Sequence, residues 1–372
     1  MRKFKKTFLL AAAALTLSLT ACGASGNGAE TKADAETKAA GETAAGGAAA
    51  GDEADSAAAE TGKDGAAASG KAIKVSIVQP MSHTSLDQIR DTITEELKGS
   101  GLNFEITTEN ANGDTSALTT ILQNEKIAGM DIIVPIATST AQSAKSVFEG
   151  TDTPVVYAAV SDPVSAGLTG EGSENITGVS NNIPSAEIVK LISNFQPDYK
   201  TIGFLYNSSE TNSVSTINAA KKYCDEQGIK YEEASIAAVP ELQEAVNRLL
   251  SKGVDVLYTG NDNSIASAMA TYTDIAYAKK VPIYCGADSM VADGGFATIG
   301  VDYVQLGRQA AQMIVKVAGG TKPADLPYET LNNYARFVNL QAADRLGFTL
   351  TDDMLKDYTV LVEKDGTSHF GK

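Results

Sequence analysis

A repeated stretch in the middle and second half of the chain constrains the fold most. Residues 129–163 have the pattern of a buried strand, a polar turn that opens a helix, and a second buried strand, and residues 253–291 repeat this order. The turn is Thr-Ser-Thr at residues 138–140 and Asn-Asp-Asn at residues 261–263. Because polar turns at the carboxyl ends of parallel strands commonly line a crevice, the repeat predicts two similar lobes facing a shared cleft.

The first 22 residues have the composition of a secretory signal. Four cations precede an apolar run over residues 8–19, which is too short to span a bilayer comfortably. The segment ends in Leu-Thr-Ala followed by Cys22, which resembles the bacterial lipobox and implies a diacylated, membrane-anchored cysteine. The alternative is an ordinary secretory signal with a chance cysteine. Residues 23–70 contain no aromatic residue and no Leu, Ile, Val or Met, so we predict a disordered tether there.

Composition argues against several classes of function. Without the four cations of the signal segment, 26 Lys+Arg face 46 Asp+Glu, which is a net charge of −20. Nucleic-acid binding requires a cationic face, so no nucleic-acid partner is expected. His83 and His369 are too few and too far apart in sequence for a histidine-based metal site, and no cofactor is expected. Beyond Cys22, only Cys224 and Cys285 remain; we expect buried thiols, and a bridge between them stays an open alternative.

Strands and helices alternate from residue 73 to about residue 345, which predicts an α/β protein of parallel sheets flanked by helices. We expect two Rossmann-like lobes joined by three crossovers, with a hinge between them. The predicted boundaries are residues 71–181 and 292–321 for the first lobe, 182–291 and 322–347 for the second, and 348–372 for a C-terminal extension.

The signal, tether and lobes together resemble an extracytoplasmic solute-binding lipoprotein of an ABC importer. The closer resemblance is to the branch that binds aromatic amino acids such as tryptophan and tyrosine. The segments that carry it, which span nearly all of residues 73–345, are Gln-Pro at 79–80 with Leu-Asp at 86–87, then 138–142, 160–164, LYNSSETNS at 205–213, 260–263, and 300–303 with 306–307. The resemblance implies a periplasmic-binding-protein type I architecture and delivery of the ligand to an ABC permease at the extracytoplasmic face of the bacterial membrane.

A zwitterionic amino acid requires hydrogen-bond donors for its carboxylate and acceptors for its ammonium group. Helix N-termini provide donors, so we predict that residues 139–141 and, in the opposite lobe, residues 209–213 hold the carboxylate. Acidic residues at strand ends are the candidates for the ammonium group. The predicted ligand-binding residues are Ser139, Thr140, Ala141, Asp162, Tyr206, Glu210, Asn212, Ser213, Asp262 and Asn263. The same residue types commonly cap helices and shape turns, which is the structural alternative for each.

The ring of an aromatic ligand would require an apolar, partly aromatic pocket. The available side chains are Met81, Tyr157, Tyr206, Tyr258, Tyr284 and Tyr303. Tyrosines on buried strands more often belong to the core, so only one or two of them are expected to face a ligand.

Other functions compete with this interpretation. A surface enzyme with the same fold is disfavoured, because the sequence lacks a convincing nucleophile–base pair, and we expect no catalysis. A receptor that presents its ligand to a membrane sensor, rather than to a permease, would use the same fold. Branched-chain amino acids and sugars are the rival ligands. Sugar sites often stack rings on tryptophan, and this chain has none.

Overall fold

A computed structural model describes residues 71–331 and 333–370. The predicted signal segment, Cys22 and the tether lie outside the described residues. Within them, no helix is both long and apolar enough to cross a membrane.

Strands and helices alternate along the described chain, as the sequence predicts. The strands are β1 (Ile73–Gln79), β2 (Phe104–Asn110), β3 (Ile132–Pro135), β4 (Val155–Val160), β5 (Ile176–Ser180), β6 (Thr201–Asn207), β7 (Lys230–Ile236), β8 (Val256–Thr259), β9 (Ile283–Cys285), β10 (Ala297–Val301), β11 (Glu329–Thr330), β12 (Tyr334–Asn339) and β13 (Thr359–Val362). The α-helices are α1 (Thr84–Gly99), α2 (Thr115–Ala128), α3 (Thr138–Phe148), α4 (Ser185–Phe195), α5 (Thr211–Gln227), α6 (Leu242–Ser251), α7 (Asn263–Ala266), α8 (Met269–Ala278), α9 (Asp288–Ala292), α10 (Tyr303–Ala318), α11 (Leu340–Leu346) and α12 (Asp352–Leu355).

Two sheets form the centres of the two lobes. The first has the order β11-β5-β4-β3-β1-β2, and all its pairings are parallel. The second has the order β13-β12-β10-β9-β8-β6-β7 and is parallel except where β10 and β12 run antiparallel. Strands β3, β4, β5 and β8 are buried along their whole length, which is typical of parallel sheets covered by helices on both faces.

The chain crosses between the lobes three times: from β5 to α4, from β10 to α10, and from β11 to β12. The prediction of two α/β lobes with three crossovers is therefore confirmed. Two predicted boundaries differ from the structure. Residues 292–321 were assigned to the first lobe, but β10 pairs with β9 and β12 in the second sheet. Residues 348–372 were assigned to an extension, but β13 pairs with β12 and completes that sheet.

The physical reason for the shifted boundary lies before β10. Helix α9 has only five residues, and Gly294 (φ 115°) turns the chain back into the sheet it has just left. The crossing therefore occurs at Asp302, whose carboxylate accepts a hydrogen bond from the Val304 N–H (2.8 Å) and begins α10.

Local sequence chemistry explains several other helix ends. Asp114 accepts hydrogen bonds from the first turn of α2, and Gly129 ends that helix in the left-handed conformation (φ 67°). Gly228 ends α5 in the same way (φ 67°), as the sequence predicts. Cys224 and Cys285 are buried free thiols, so the alternative of a bridge between them is wrong.

Candidate ligand-binding site

Residues that follow the carboxyl ends of strands in both sheets meet around one cavity between the lobes. The empty space among its lining residues, including the part open to solvent, is about 360 Å³. The lining residues are His83, Ser85, Leu86, Ala137, Thr138, Ala159, Asn181 and Tyr303 from the first lobe, and Asn212, Asn261, Asp262, Asn263, Ala266, Ala287 and Met290 from the second. The cavity wall contains both polar and apolar side chains, which suits an amphipathic ligand.

Two helices of the first lobe begin at the cavity without a side-chain cap. Helix α1 follows His83 and α3 follows Ala137, and neither preceding side chain accepts a hydrogen bond from the helix. By contrast, α2 and α10 are capped by aspartates. The N–H groups of an uncapped first turn carry partial positive charge and need acceptors. The two helix starts at the cavity therefore offer donors for an anionic group.

Backbone strain is concentrated in the same wall of the cavity. Ala137 has φ 73° and ψ 160°, and Ala159 has φ 60°. Alanine rarely adopts such angles, and each costs roughly 1–3 kcal/mol. At Ala159 the pairing of β4 with β5 shifts register between Ala158 and Val160. The strain directs the ends of β3 and β4 so that both alanine methyl groups line the cavity.

Asn212 contributes a buried acceptor from the second lobe. Its Nδ2 donates to the Asn261 carbonyl (2.8 Å) and to Glu210 Oε2 (3.3 Å), and since both partners are acceptors the amide orientation is determined. Asn212 Oδ1 consequently remains without a hydrogen-bond partner, although it is buried. Thr138 Oγ1 and His83 Nδ1 are also buried and have no hydrogen-bond partner. Buried polar atoms without partners are uncommon in folded proteins, and all three belong to residues that line the cavity.

Asp262 lies in the wall of the cavity but is bound by its own lobe. Its Oδ2 accepts hydrogen bonds from the Asn207 N–H and the Ser213 hydroxyl, both at 2.5 Å. Its Oδ1 accepts from the Ile265 N–H (2.9 Å) and caps α7. Burial and the nearby charge of Glu210 raise the pKa of Asp262. The carboxylate thus organises the second lobe beneath the cavity.

Direct hydrogen bonds join the lobes around the cavity. His83 Nε2 lies 3.1 Å from Asn263 Oδ1, and the Thr84 hydroxyl donates to Asp293 (2.9 Å). Two further contacts join Asn261 Nδ2 to the Ser161 hydroxyl (2.5 Å) and the hydroxyls of Ser85 and Ser289 to each other. The structure therefore describes a closed arrangement of the lobes.

The structure brings part of the predicted site to the cavity. Asn212, Asp262 and Asn263 line it, and Ser213 lies directly behind Asp262. As ligand contacts these residues remain predictions. Of the candidate tyrosines, Tyr303 lines the cavity, whereas Tyr157, Tyr258 and Tyr284 belong to the buried core.

Other predicted residues lie elsewhere. Asp162 accepts hydrogen bonds from Val164 and Ser165 and shapes its own turn, outside the cavity. The Tyr206 hydroxyl points to Glu233 (3.5 Å).

Residues 139–141 at the start of α3, and Glu210, also lie outside the cavity wall. Ser139 faces a groove outside the cavity, and Thr140 and Ala141 are buried without lining it. Glu210 accepts five hydrogen bonds within the second lobe and likewise lies outside the wall.

Sequence reasoning missed a cavity residue at the start of each uncapped helix: His83 before α1 and Thr138 as the first residue of α3. The sequence analysis does not predict His83 as a ligand contact, although its position before an amphipathic helix is visible in the sequence. Thr138 belongs to the polar turn, but the sequence analysis predicts its neighbours Ser139 and Thr140 as the ligand contacts. The positive φ of Ala137 brings Thr138 to the cavity, and no residue type in the sequence signals that angle.

The fold and the cleft define a two-lobed solute receptor with the periplasmic-binding-protein type I architecture. Residues 74–361 match the model of the ABC transporter substrate binding protein family, and the chain belongs to this family. Its members are extracytoplasmic solute receptors and not enzymes.

Several relatives are similar over most of the described chain. A tyrosine-binding protein from Clostridioides difficile (strain R20291) is 30% identical over 278 residues, which cover 73% of this chain and 80% of the relative. The structure of an ABC domain in complex with L-Trp from Streptococcus pneumoniae is 34% identical with a TM-score of 0.74, covering 78% of this chain and 99% of that one. The ligand-free, open structure of a substrate binding protein with adhesive properties from Clostridium difficile is 30% identical with a TM-score of 0.59, covering 77% and 98%.

The two TM-scores differ although identity and coverage are similar. Rotation of one lobe against the other lowers the score of a whole-chain superposition even where each lobe matches well. The higher score against the L-Trp complex agrees with the hydrogen bonds that join the lobes of this chain.

Proposed function

We propose that this protein binds a single amino acid, with an aromatic one favoured, in the cavity between its lobes. The observation that carries the proposal is the set of buried polar atoms without partners at Thr138, Asn212 and His83. A zwitterion supplies both a carboxylate and an ammonium group, so it satisfies donors and acceptors together. The relatives named as tyrosine-binding and as a complex with L-Trp support an aromatic side chain.

Each part of the ligand has a matching part of the wall. The starts of α1 and α3, with the Thr138 hydroxyl, provide donors for the carboxylate. Asn212 Oδ1 is the free acceptor for the ammonium group. Leu86, Met290 and the Tyr303 ring provide apolar surface for the side chain. Burying an aromatic side chain contributes roughly 1.5–3 kcal/mol, and polar contacts supply the remainder of the roughly 8 kcal/mol that micromolar affinity requires.

The proposal extends to the route of the ligand. The protein is anchored through a lipid on Cys22 to the extracytoplasmic face of the membrane, and it passes the ligand to an ABC permease. The resemblance of residues 19–22 to a lipobox and membership of the substrate-binding family support this part.

Direct titration tests the ligand, because the chain contains no tryptophan. Ligand is removed by unfolding and refolding, and L-tryptophan is then titrated under indole-selective excitation, so that all of the signal arises from the ligand. We expect a saturable change that tyrosine and phenylalanine displace. Absence of any change at millimolar tryptophan would refute the aromatic assignment, and aliphatic amino acids and sugars would become the candidates.

A matched pair of substitutions tests the site. Thr138→Val removes a hydroxyl that has no partner in the protein. We expect the affinity to fall roughly 10- to 150-fold, because a hydrogen bond to a charged group contributes roughly 1.5–3 kcal/mol. Thr140→Val removes a hydroxyl that is equally buried and also without a partner, but lies outside the cavity wall. We expect no change in affinity for this control. Equal effects of the two substitutions would contradict the proposed placement of the carboxylate.

A further inference from the structure

His83 and Asn263 meet beside a second space between the lobes, which Asn263 also lines. We call this space the outer groove. It is lined from the first lobe by Met81 and Leu118, among others, and from the second by Val239. Asn263 lines both the cavity and the outer groove. Its contact with His83 therefore lies at the boundary between the cavity and the outer groove.

Glu210 determines the orientation of the Asn263 amide. Asn263 Nδ2 donates to Glu210 Oε2 at 2.7 Å, and the Asn263 N–H donates to the same oxygen at 3.0 Å. Because a carboxylate only accepts hydrogen bonds, the Nδ2 atom must face Glu210 and the Oδ1 atom must face His83. His83 Nε2, 3.1 Å from that oxygen, must then carry the proton.

Glu210 is itself held rigidly within the second lobe. Its Oε1 accepts hydrogen bonds from the Ser264 N–H (2.9 Å) and the Ser264 hydroxyl (2.7 Å). The residue is 8% exposed and forms no ion pair within the described residues. The carboxylate that the sequence suggested for a ligand ammonium group is therefore occupied in fixing the start of α7, where Asn263 is the first residue.

We propose that the hydrogen bond from His83 to Asn263, positioned by Glu210, closes the passage between the cavity and the outer groove. It thereby stabilises the closed lobes and slows release of the ligand. We call this hydrogen-bonded pair the door. His83 and Asn263 form the door, and Glu210 is a positioning residue that acts through Asn263. The effect on release depends on the function proposed above, whereas the effect on closure does not.

Interlobe distance tests the door without any ligand. Spin labels are attached through Thr119→Cys on the first lobe and Gln243→Cys on the second, both at exposed positions. The native Cys224 and Cys285 are buried, and the label pair is read in a chain whose Cys22 is lipidated or replaced by serine. Distance distributions then report the ratio of closed to open protein.

Substitutions on either lobe are expected to weaken the same hydrogen bond between His83 and Asn263. His83→Leu cannot donate, so we expect the closed-to-open ratio to fall about two- to tenfold, the range for loss of one neutral hydrogen bond. Glu210→Leu removes both carboxylate oxygens, including the acceptor that orients Asn263, and we expect a similar fall. Because both act on one hydrogen bond, the double variant should fall no further than either single variant. His83→Gln keeps a donor near the position of Nε2 and should restore much of the ratio.

Three results would overturn the proposal: an unchanged ratio in His83→Leu, full additivity of the His83 and Glu210 substitutions, or no recovery in His83→Gln. If Glu210→Leu does not fold, Asn263→Ala replaces it in the same cycle. With tryptophan bound, the same variants should release ligand faster by a similar factor in stopped-flow displacement. A changed ratio without binding of any amino acid would leave the door in place and refute only the proposed ligand.

Discussion

Replacement of a buried alanine by glycine normally lowers the free energy of unfolding. At Ala137 the backbone is strained, and we expect the same replacement to change that free energy little. Replacing a buried alanine by glycine removes a methyl group, which costs about 0.8 kcal/mol. It also increases the freedom of the unfolded chain, which costs about 0.4–1 kcal/mol. At Ala137 (φ 73°, ψ 160°) the replacement relieves roughly 1–3 kcal/mol of strain. The terms nearly cancel, so we expect Ala137→Gly to leave the free energy of unfolding unchanged or to raise it by about 1 kcal/mol.

Ala144 provides the matched control. It is buried in the same helix as the residues after Ala137, but it has an ordinary helical conformation. There the methyl loss and the poor helix propensity of glycine add, so Ala144→Gly should lower the free energy of unfolding by about 2 kcal/mol.

Urea denaturation of both variants, followed by circular dichroism and by tyrosine fluorescence, measures the difference. Coincident transitions by the two probes are required before the free energies are compared. If Ala137→Gly is as destabilising as Ala144→Gly, the strain argument is refuted. Ligand affinity provides an independent test of Ala137→Gly, because the Ala137 methyl group lines the cavity. Its loss should weaken ligand binding about fourfold.

Three further outcomes follow from burial and hydrogen bonding. Burial raises the pKa of Asp288 from 3.8 to about 7. The free energy of unfolding should therefore fall by up to roughly 4 kcal/mol as the pH rises from about 4 to about 7. In urea denaturation, Asp288→Asn should be more stable than the unmodified protein at pH 8 and should show little gain at pH 4. Burial raises the pKa of the Cys224 thiol to about 11 and that of Cys285 still further, so neither thiol should react with a thiol reagent at pH 8 until the protein unfolds, and rapid labelling would contradict their burial. Tyr206→Phe should leave ligand affinity unchanged, because its hydroxyl faces Glu233; a tenfold loss in the tryptophan titration would restore the sequence-based assignment.

Much of the fold was predictable because its signals are local. Buried strands, amphipathic helices and the glycine that ends α5 can each be identified from a few neighbouring residues. The repeat of strand, polar turn, helix and strand was enough to predict two lobes. The boundary error at β10 arose because a strand that stays in its sheet and one that begins a crossing have the same local pattern.

The candidate site was only partly predictable, and the residues of α3 show why. The polar turn was identified, but Thr138 and not Thr140 lines the cavity, a difference of two positions. Which of them faces the cleft depends on the backbone angles of Ala137, and alanine carries no sequence signal for such angles.

The sequence by itself determined the two lobes, the order of their elements, and the turns from which a ligand site would be built. Only the tertiary structure decided what each polar residue of those turns does. Glu210 is the clearest case: its partners Asn263 and Ser264 lie 53 and 54 residues further along the chain. A carboxylate accepts whichever donors the fold brings to it. Its role in the lobe or at the ligand is therefore set by contacts between distant segments, which local sequence patterns do not encode.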